Sequence, residues 1–186
     1  MMAISFSPYI KITDFKLSSV MPMYSNQSWT GVEIRRSTGI QYYTIEFNLN
    51  FEIANKKEVL AFISEYQQGK PFQFNMGHFS IYNGSQSGAV SCTSTANRGS
   101  LNINMSSNTL EIGTMIQFSN HKKIYQIIAK SGNTVTLFPQ LRQNVQNGES
   151  VFYNNLVIEA KLDVDQDFAM NSTMITSVQI KATENL

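Results

Sequence analysis

His78 and His121 are the two histidines of this 186-residue sequence, and they are the first residues to which acid–base or metal chemistry would be assigned. They stand in Gly77-His78-Phe79 and Asn120-His121-Lys122-Lys123, with no Cys, Asp or Glu at ligand spacing beside either. A zinc site or a proton-transfer pair needs such company, so both read as surface or strand-end structure. Asp163, Asp165 and Asp167, in DVDQD, match the start of a calcium loop. An EF-hand would require Gly where Phe168 stands and Glu where Met174 stands, so the acidic triplet reads as a solvated strand face followed by a turn. His121-Lys122-Lys123 reads as a solubilising hairpin tip. No Gly-x-Ser-x-Gly, phosphate-binding Gly-rich loop or His-Glu-x-x-His is present. The sequence therefore offers no catalytic, cofactor-binding or metal-ligating residue, leaves the ligand-binding residues unknown, and is read as non-enzymatic.

Composition narrows the partners. The lone Cys92 excludes an internal disulfide and a thiolate cluster, and reads as a free, buried thiol. A formal charge of +1 is too balanced for a polyanion-binding domain, so nucleic acid is not the expected partner. The opening MMAISFSPYIKITDF lacks a basic start, a long apolar run and a small-residue cleavage site. With no run of about 18 apolar residues elsewhere, neither secretory export nor a membrane span is expected.

Hydrophobic periodicity supplies the elements. Tyr43, Ile45, Phe47, Leu49, Phe51 and Ile53 alternate with polar residues, the pattern of a half-buried strand. WTGVEIRR (29–36) and the turn-like Ser37-Thr38-Gly39 precede it, predicting an antiparallel hairpin across Gly39. The period then changes. Asn55 predicts an N-cap, Glu58 its capping-box partner, and Val59, Leu60, Phe62, Ile63 and Tyr66 the apolar stripe of one short helix ended by Gly69. FQFNMGHFSIY, LVIEAKLDV and MITSVQIKA return to alternation and are expected to complete the first sheet system.

Between them the texture differs. Residues 83–107 are rich in Ser, Thr, Asn and Gly, and 85–153 hold five basic residues against two acids, whereas 154–186 hold two against five. Short alternating runs (101–105, MIQFS, KIYQIIA, TVTLF, ESVFY) are separated by turns at Asn120-His121, Ser131-Gly132-Asn133 and Asn147-Gly148. Strands at that spacing indicate a small barrel or sandwich. The expected fold is mainly β: a discontinuous β-sandwich/barrel domain (1–84 and 154–186) with one short α-helix, plus an inserted small β-barrel (85–153) of the oligonucleotide/oligosaccharide-binding (OB) kind.

Several motifs occur together in order. Gly84 and Gly88 lead into the insert, followed by Ile124-Tyr125-Gln126-Ile127, Pro139-Gln140-Leu141-Arg142 and the Asn147-Gly148 turn. Upstream lie Trp29 with Gly31, the helix Glu58 to Tyr66, and Gly69-Lys70-Pro71-Phe72. This arrangement resembles the distal tail proteins of long-tailed bacteriophages, and more broadly their neighbouring minor tail and tail-tip proteins. The resemblance implies a structural virion protein whose copies form a hexameric ring. That ring joins the tail tube to the hub and host-recognition apparatus, with the tape-measure protein close by. It also implies location in the virion, and in the host cytoplasm before assembly. Arg142 is then expected to act as a latch, on loop carbonyls or on Glu149.

Two apolar features could serve contacts. Met21-Pro22-Met23-Tyr24 reads mainly as core, with an interface as the lesser reading. Trp29 reads as a core indole or an interface anchor. A different class of function, a module whose barrel binds a glycan or single-stranded nucleic acid, would draw on Tyr125, Phe138, Phe152 and Tyr153.

Overall fold

The computed structural model describes residues 3–166, 168–170 and 173–186. Thirteen strands follow the chain: β1 (Ile10–Val20), β2 (Met23–Gln27), β3 (Glu33–Ser37), β4 (Tyr42–Glu52), β5 (Phe72–Asn75), β6 (Val90–Ser91), β7 (Asn102–Asn104), β8 (Met115–Phe118), β9 (Ile124–Ser131), β10 (Thr134–Phe138), β11 (Ser150–Phe152), β12 (Val157–Leu162) and β13 (Ile175–Glu184). Among the described residues there is one α-helix, α1 (Lys56–Tyr66), between β4 and β5. The fold is mainly β. It divides into two compact units, one of Met1–Val20, Tyr42–Phe74 and Glu159–Leu186, the other of Met21–Gln41 and Asn75–Ile158.

The first unit is built on a five-stranded sheet in the order β1-β4-β13-β12-β5. β4 is central, and its alternation does what the sequence pattern requires: Tyr43, Ile45, Phe47, Leu49 and Phe51 are buried. On β13, Val178, Ile180 and Ala182 continue the same buried face. Phe47 stacks on Phe74 at 4.6 Å, while Phe62 of α1 meets Phe72 edge-on at 5.5 Å. β12 and β13 thus complete the sheet that β4 begins.

Two local expectations are corrected. The hairpin across Gly39 does not form, because β1 and β13 occupy both edges of β4. β3 pairs instead with β2, around a turn in which Gly31 takes φ +83° and Ser28 receives the Gly31 N–H at 2.9 Å. The capping box is also absent: a 3₁₀ turn at Ile53–Asn55 leads into α1, and Asn55 makes no side-chain cap. Asn55 sits at φ −93°, ψ 6°, outside the extended geometry that aims a cap side chain at the helix N–H groups. Glu58 turns away, its Oε1 accepting the Ser7 N–H at 2.8 Å. Of the predicted helical stripe, Val59, Phe62 and Ile63 are buried, and Leu60 is exposed.

The second unit carries the small barrel. Its six strands run in the order β6-β11-β8-β9-β10-β7, every neighbouring pair antiparallel. The edges then meet. Cys92 bridges Met105, with Thr93 N–H donating to Asn104 O at 2.9 Å and Ser106 N–H to Ser91 O at 2.8 Å. Inside lie Ile103, Met105, Ile116, Phe118, Tyr125, Ile127, Val135 and Leu137. β10 stops at Phe138, because Pro139 has no N–H to extend the ladder. Gln146 O accepts the Glu149 N–H at 3.2 Å, with Gly148 at φ +83°, so the Asn147-Gly148 turn needs glycine where only glycine is relaxed. The segment Met21–Gln41, placed by sequence with the outer strands, groups with this unit: its strands pair only with each other, and Arg142 holds its end.

Candidate functional site

The β2–β3 hairpin is the most unusual surface of the molecule. Both of its strands are exposed throughout. Trp29 at its tip is fully exposed at 104%, and Tyr24, Val32 and Ile34 follow at 72%, 60% and 65%. An isolated two-stranded ribbon is marginal in water, and exposing its large apolar side chains gains nothing for the free chain. Met21, Met23 and Tyr24, read from sequence mainly as core, are therefore corrected to surface, and of the two readings of Trp29 the core position is excluded. The base of this arm is tied down. Pro22 O accepts from Thr38 Oγ1 at 2.8 Å, and Gly39 O accepts from Arg142 Nη2 at 3.3 Å. Of the two roles expected for Arg142, the carbonyl latch is the one present.

Glu149 is engaged elsewhere. Its buried carboxylate accepts the Asn120 N–H at 3.1 Å and the Gln146 N–H at 3.0 Å, joining the β8–β9 turn to the loop before β11. Beside it, His121 is buried rather than solvent-facing, and Lys123 is buried as well, so this is no solubilising tip. The His121 ring packs edge-on against Phe118 at 5.1 Å. Its Nδ1 is 3.0 Å from the Tyr125 hydroxyl, which also accepts the Arg142 N–H at 3.0 Å. The remaining ring nitrogen lies 3.4 Å from Asn144 O, so one neutral tautomer satisfies the chain: Tyr125 donates to Nδ1, and Nε2–H donates to Asn144. Burial keeps the imidazole below its ordinary range. The cluster is a buried fastening that holds the loop after β10 against β9.

A third feature was not anticipated. The 3₁₀ turn at Gly77–Ser80, the irregular segment Ile81–Gly84, the turn before β8 and Tyr153 line an open groove of about 570 Å³. Phe79, Ile81 and Ile112 present exposed apolar surface on it. Glu111 is its only charged lining residue. Hydrogen bonds from the Tyr82 hydroxyl and from the Ser85 N–H and hydroxyl hold the Glu111 carboxyl down to about 2, and Tyr82 is raised by desolvation and by that bond. Gly84 permits the arrangement, since a Cβ there would lie 2.2 Å from the Tyr82 hydroxyl and 2.3 Å from Glu111 Oε2. The one signal in the sequence was Glu111, one of two acids in a basic insert.

The remaining sequence candidates are dispersed. His78 is exposed in the 3₁₀ turn. Asp163 accepts from Thr183 Oγ1 at 2.7 Å, Asp165 is exposed, and Asp167 lies outside the described residues. Among the described residues, no three His, Cys, Asp or Glu side chains gather as a metal site. Cys92 is buried, its thiol pushed up to about 12 by desolvation. The four insert aromatics share no binding face: Tyr125 is core, Phe138 half-buried, Phe152 half-exposed, and Tyr153 donates to Gly88 O at 2.7 Å while packing on Tyr82. Among the described residues, no helix is long and apolar enough to cross a membrane. No protein-family model matches the chain, and no curated protein matches it.

Proposed function

We propose that this protein is a non-enzymatic structural subunit of a long-tailed bacteriophage tail tip, of the distal-tail kind, which closes with copies of itself into a ring, hexameric in that family. The ring joins the tail tube to the hub and host-recognition apparatus. The observation that carries this reading is the β2–β3 arm. A free-standing ribbon bearing Trp29, Tyr24, Val32 and Ile34 in water is the signature of a surface covered in an assembly. Burying each such side chain stabilises an assembly by roughly 1.5–3 kcal/mol, and aromatic anchors are the residues on which interfaces concentrate their energy. The order of motifs from Trp29 to Asn147-Gly148 supplies the kind of assembly. Ring closure needs two different faces on each subunit, which a protein of this strand content meets without catalytic chemistry.

The test is direct. Negative-stain micrographs of the purified protein, alone and with tail tubes, are expected to show closed rings, and purified tails are expected to contain the chain. A protein that stays monomeric at high concentration and is missing from tail particles overturns the reading.

A further inference from the structure

We infer that the Trp29 arm of one copy seats in the Glu111 groove of the next, a heterologous contact between two copies of this chain. The inference rests on the ring reading above and adds which two surfaces meet. The second unit bears two separate apolar surfaces, and they differ in form. One is a projecting ribbon with Trp29 at its tip. The other is a concave groove of about 570 Å³ with Phe79, Ile81 and Ile112 on its walls. A projection and a hollow at different places on one molecule are complementary to each other rather than each to itself. Such a pair generates head-to-tail association, and a closed ring where the rotation closes.

Size and charge agree. The groove has room for an indole and its neighbours. Residues 21–41 carry Glu33, Arg35 and Arg36, a net charge of +1. Glu33 is already bound by Arg35, with Nε–Oε1 at 2.8 Å, leaving Arg36 as the uncompensated charge of the arm. The groove's one charged lining residue is Glu111, so its charge is opposite in sign to the arm's net charge. Tyr82 and Ser85 fix that carboxylate before any partner arrives. Gly113 at φ +96° shapes the turn that exposes Ile112 beside it.

Two single-cysteine additions test the contact. A tagged Thr30→Cys protein, which keeps Trp29 and places the thiol beside it at the exposed tip, is mixed with an untagged Ile112→Cys protein under mild oxidation, with and without tail tubes. Cys92 does not compete, being buried with its thiol held protonated. The expected result is a tagged–untagged disulfide dimer in the mixture, far above the yield of a control pair in which Thr30→Cys is mixed with Leu60→Cys, an exposed position on α1. An Ile112→Arg variant, which puts a cation into the groove wall, is expected to abolish rings while leaving the melting curve unchanged. Rings that form normally with no mixed disulfide, and that tolerate Ile112→Arg, overturn this contact and leave the ring reading standing. Absence of the wild-type chain from rings and from tails overturns both.

Discussion

Nη2 of Arg142 donates to the carbonyl of Gly39 across 103 residues of sequence, at 3.3 Å. One side chain from the loop after β10 thereby anchors the segment that leaves the arm. Arg142→Ala removes that hydrogen bond while its backbone N–H still reaches Tyr125. The net cost of one such bond is about 1 kcal/mol, and the loss falls on the arm rather than on the barrel. Amide exchange should therefore quicken roughly fivefold in Glu33–Ser37 while β9 and β10 stay protected. Equal loss of protection in all three strands would show that Arg142 is barrel structure and no latch.

Tyr125→Phe attacks the same loop from inside. The hydroxyl both accepts the Arg142 N–H and reaches His121 Nδ1, and it is fully buried, so its removal strands two polar groups with no water to replace it. A cost of about 1–3 kcal/mol is expected, larger than for Arg142→Ala although only one atom is deleted. The urea midpoint of the barrel unfolding transition measures it. A midpoint within error of wild type would mean the three groups are not coupled as drawn.

His121 gives this fastening a pH dependence. Burial among Phe118, Tyr125 and the loop before Glu149 depresses the imidazole below its ordinary 6.5, against the pull of the Asn144 carbonyl and the Glu149 charge. The unfolded chain takes up a proton where the folded one does not, so the unfolded state binds more protons and stability rises with pH. The contribution is complete above the unfolded value and is lost as pH falls from about 6.5 toward the lower folded one. Melting temperatures measured from about pH 7 to 5 should fall in the wild type and flatten in His121→Gln. Parallel slopes would assign the acid sensitivity to other groups.

The sequence was legible where one physical rule dominated. β4 and β13 have two-residue alternation with one buried face, and that pattern locates them, whereas β12 alternates in sequence but buries Ile158, Glu159 and Ala160 in a row. β1 lacks that pattern, because Asp14, at φ +53°, makes a bulge that shifts its register between Thr13 and Lys16 and breaks the alternation. β6 is two residues long and set in a Ser/Thr/Gly-rich run, the texture of a connection. Val32 and Ile34 do alternate, but Val32 lies just before β3 and neither face of β3 is buried, so periodicity predicted a pairing with β4 that burial never enforced. Buried His121 and Glu149 defeat residue-type expectation because Asn144 and Asn120, which they bond, lie on other segments of the chain. The groove draws on residues near 80, 112 and 153, and no local pattern links them.

Gly84 offers a change that alters the groove without unfolding the unit. A methyl group there would meet the Tyr82 hydroxyl, its ring carbon Cζ at 2.4 Å and Glu111 Oε2, so the Tyr82 ring, packed on Tyr153, and the Glu111 carboxylate must shift apart. Gly84→Ala should cost little stability and instead part Tyr82 from Glu111. The Glu111 carboxyl, now held at about 2, should then titrate closer to 4.5. Carboxyl-carbon NMR through an acid titration reads that shift. An unmoved Glu111 would mean that the Ser85 hydrogen bonds suffice to hold it.

Trp29 separates assembly from folding most sharply. Because its side chain is fully exposed, Trp29→Ala removes no contact within the described chain, and stability should change by no more than about 0.5 kcal/mol. As an interface anchor the same residue is worth at least about 2 kcal/mol in association, or roughly a 30-fold weaker self-affinity. Leu60→Ala, at an exposed apolar position on α1, is the matched control and should leave both quantities unchanged. Sedimentation across a concentration series beside thermal melts measures the two effects separately. Trp29→Ala that melts and assembles like wild type would remove the arm from the interface. A variant that melts early would show that the arm, for all its exposure, supports the fold.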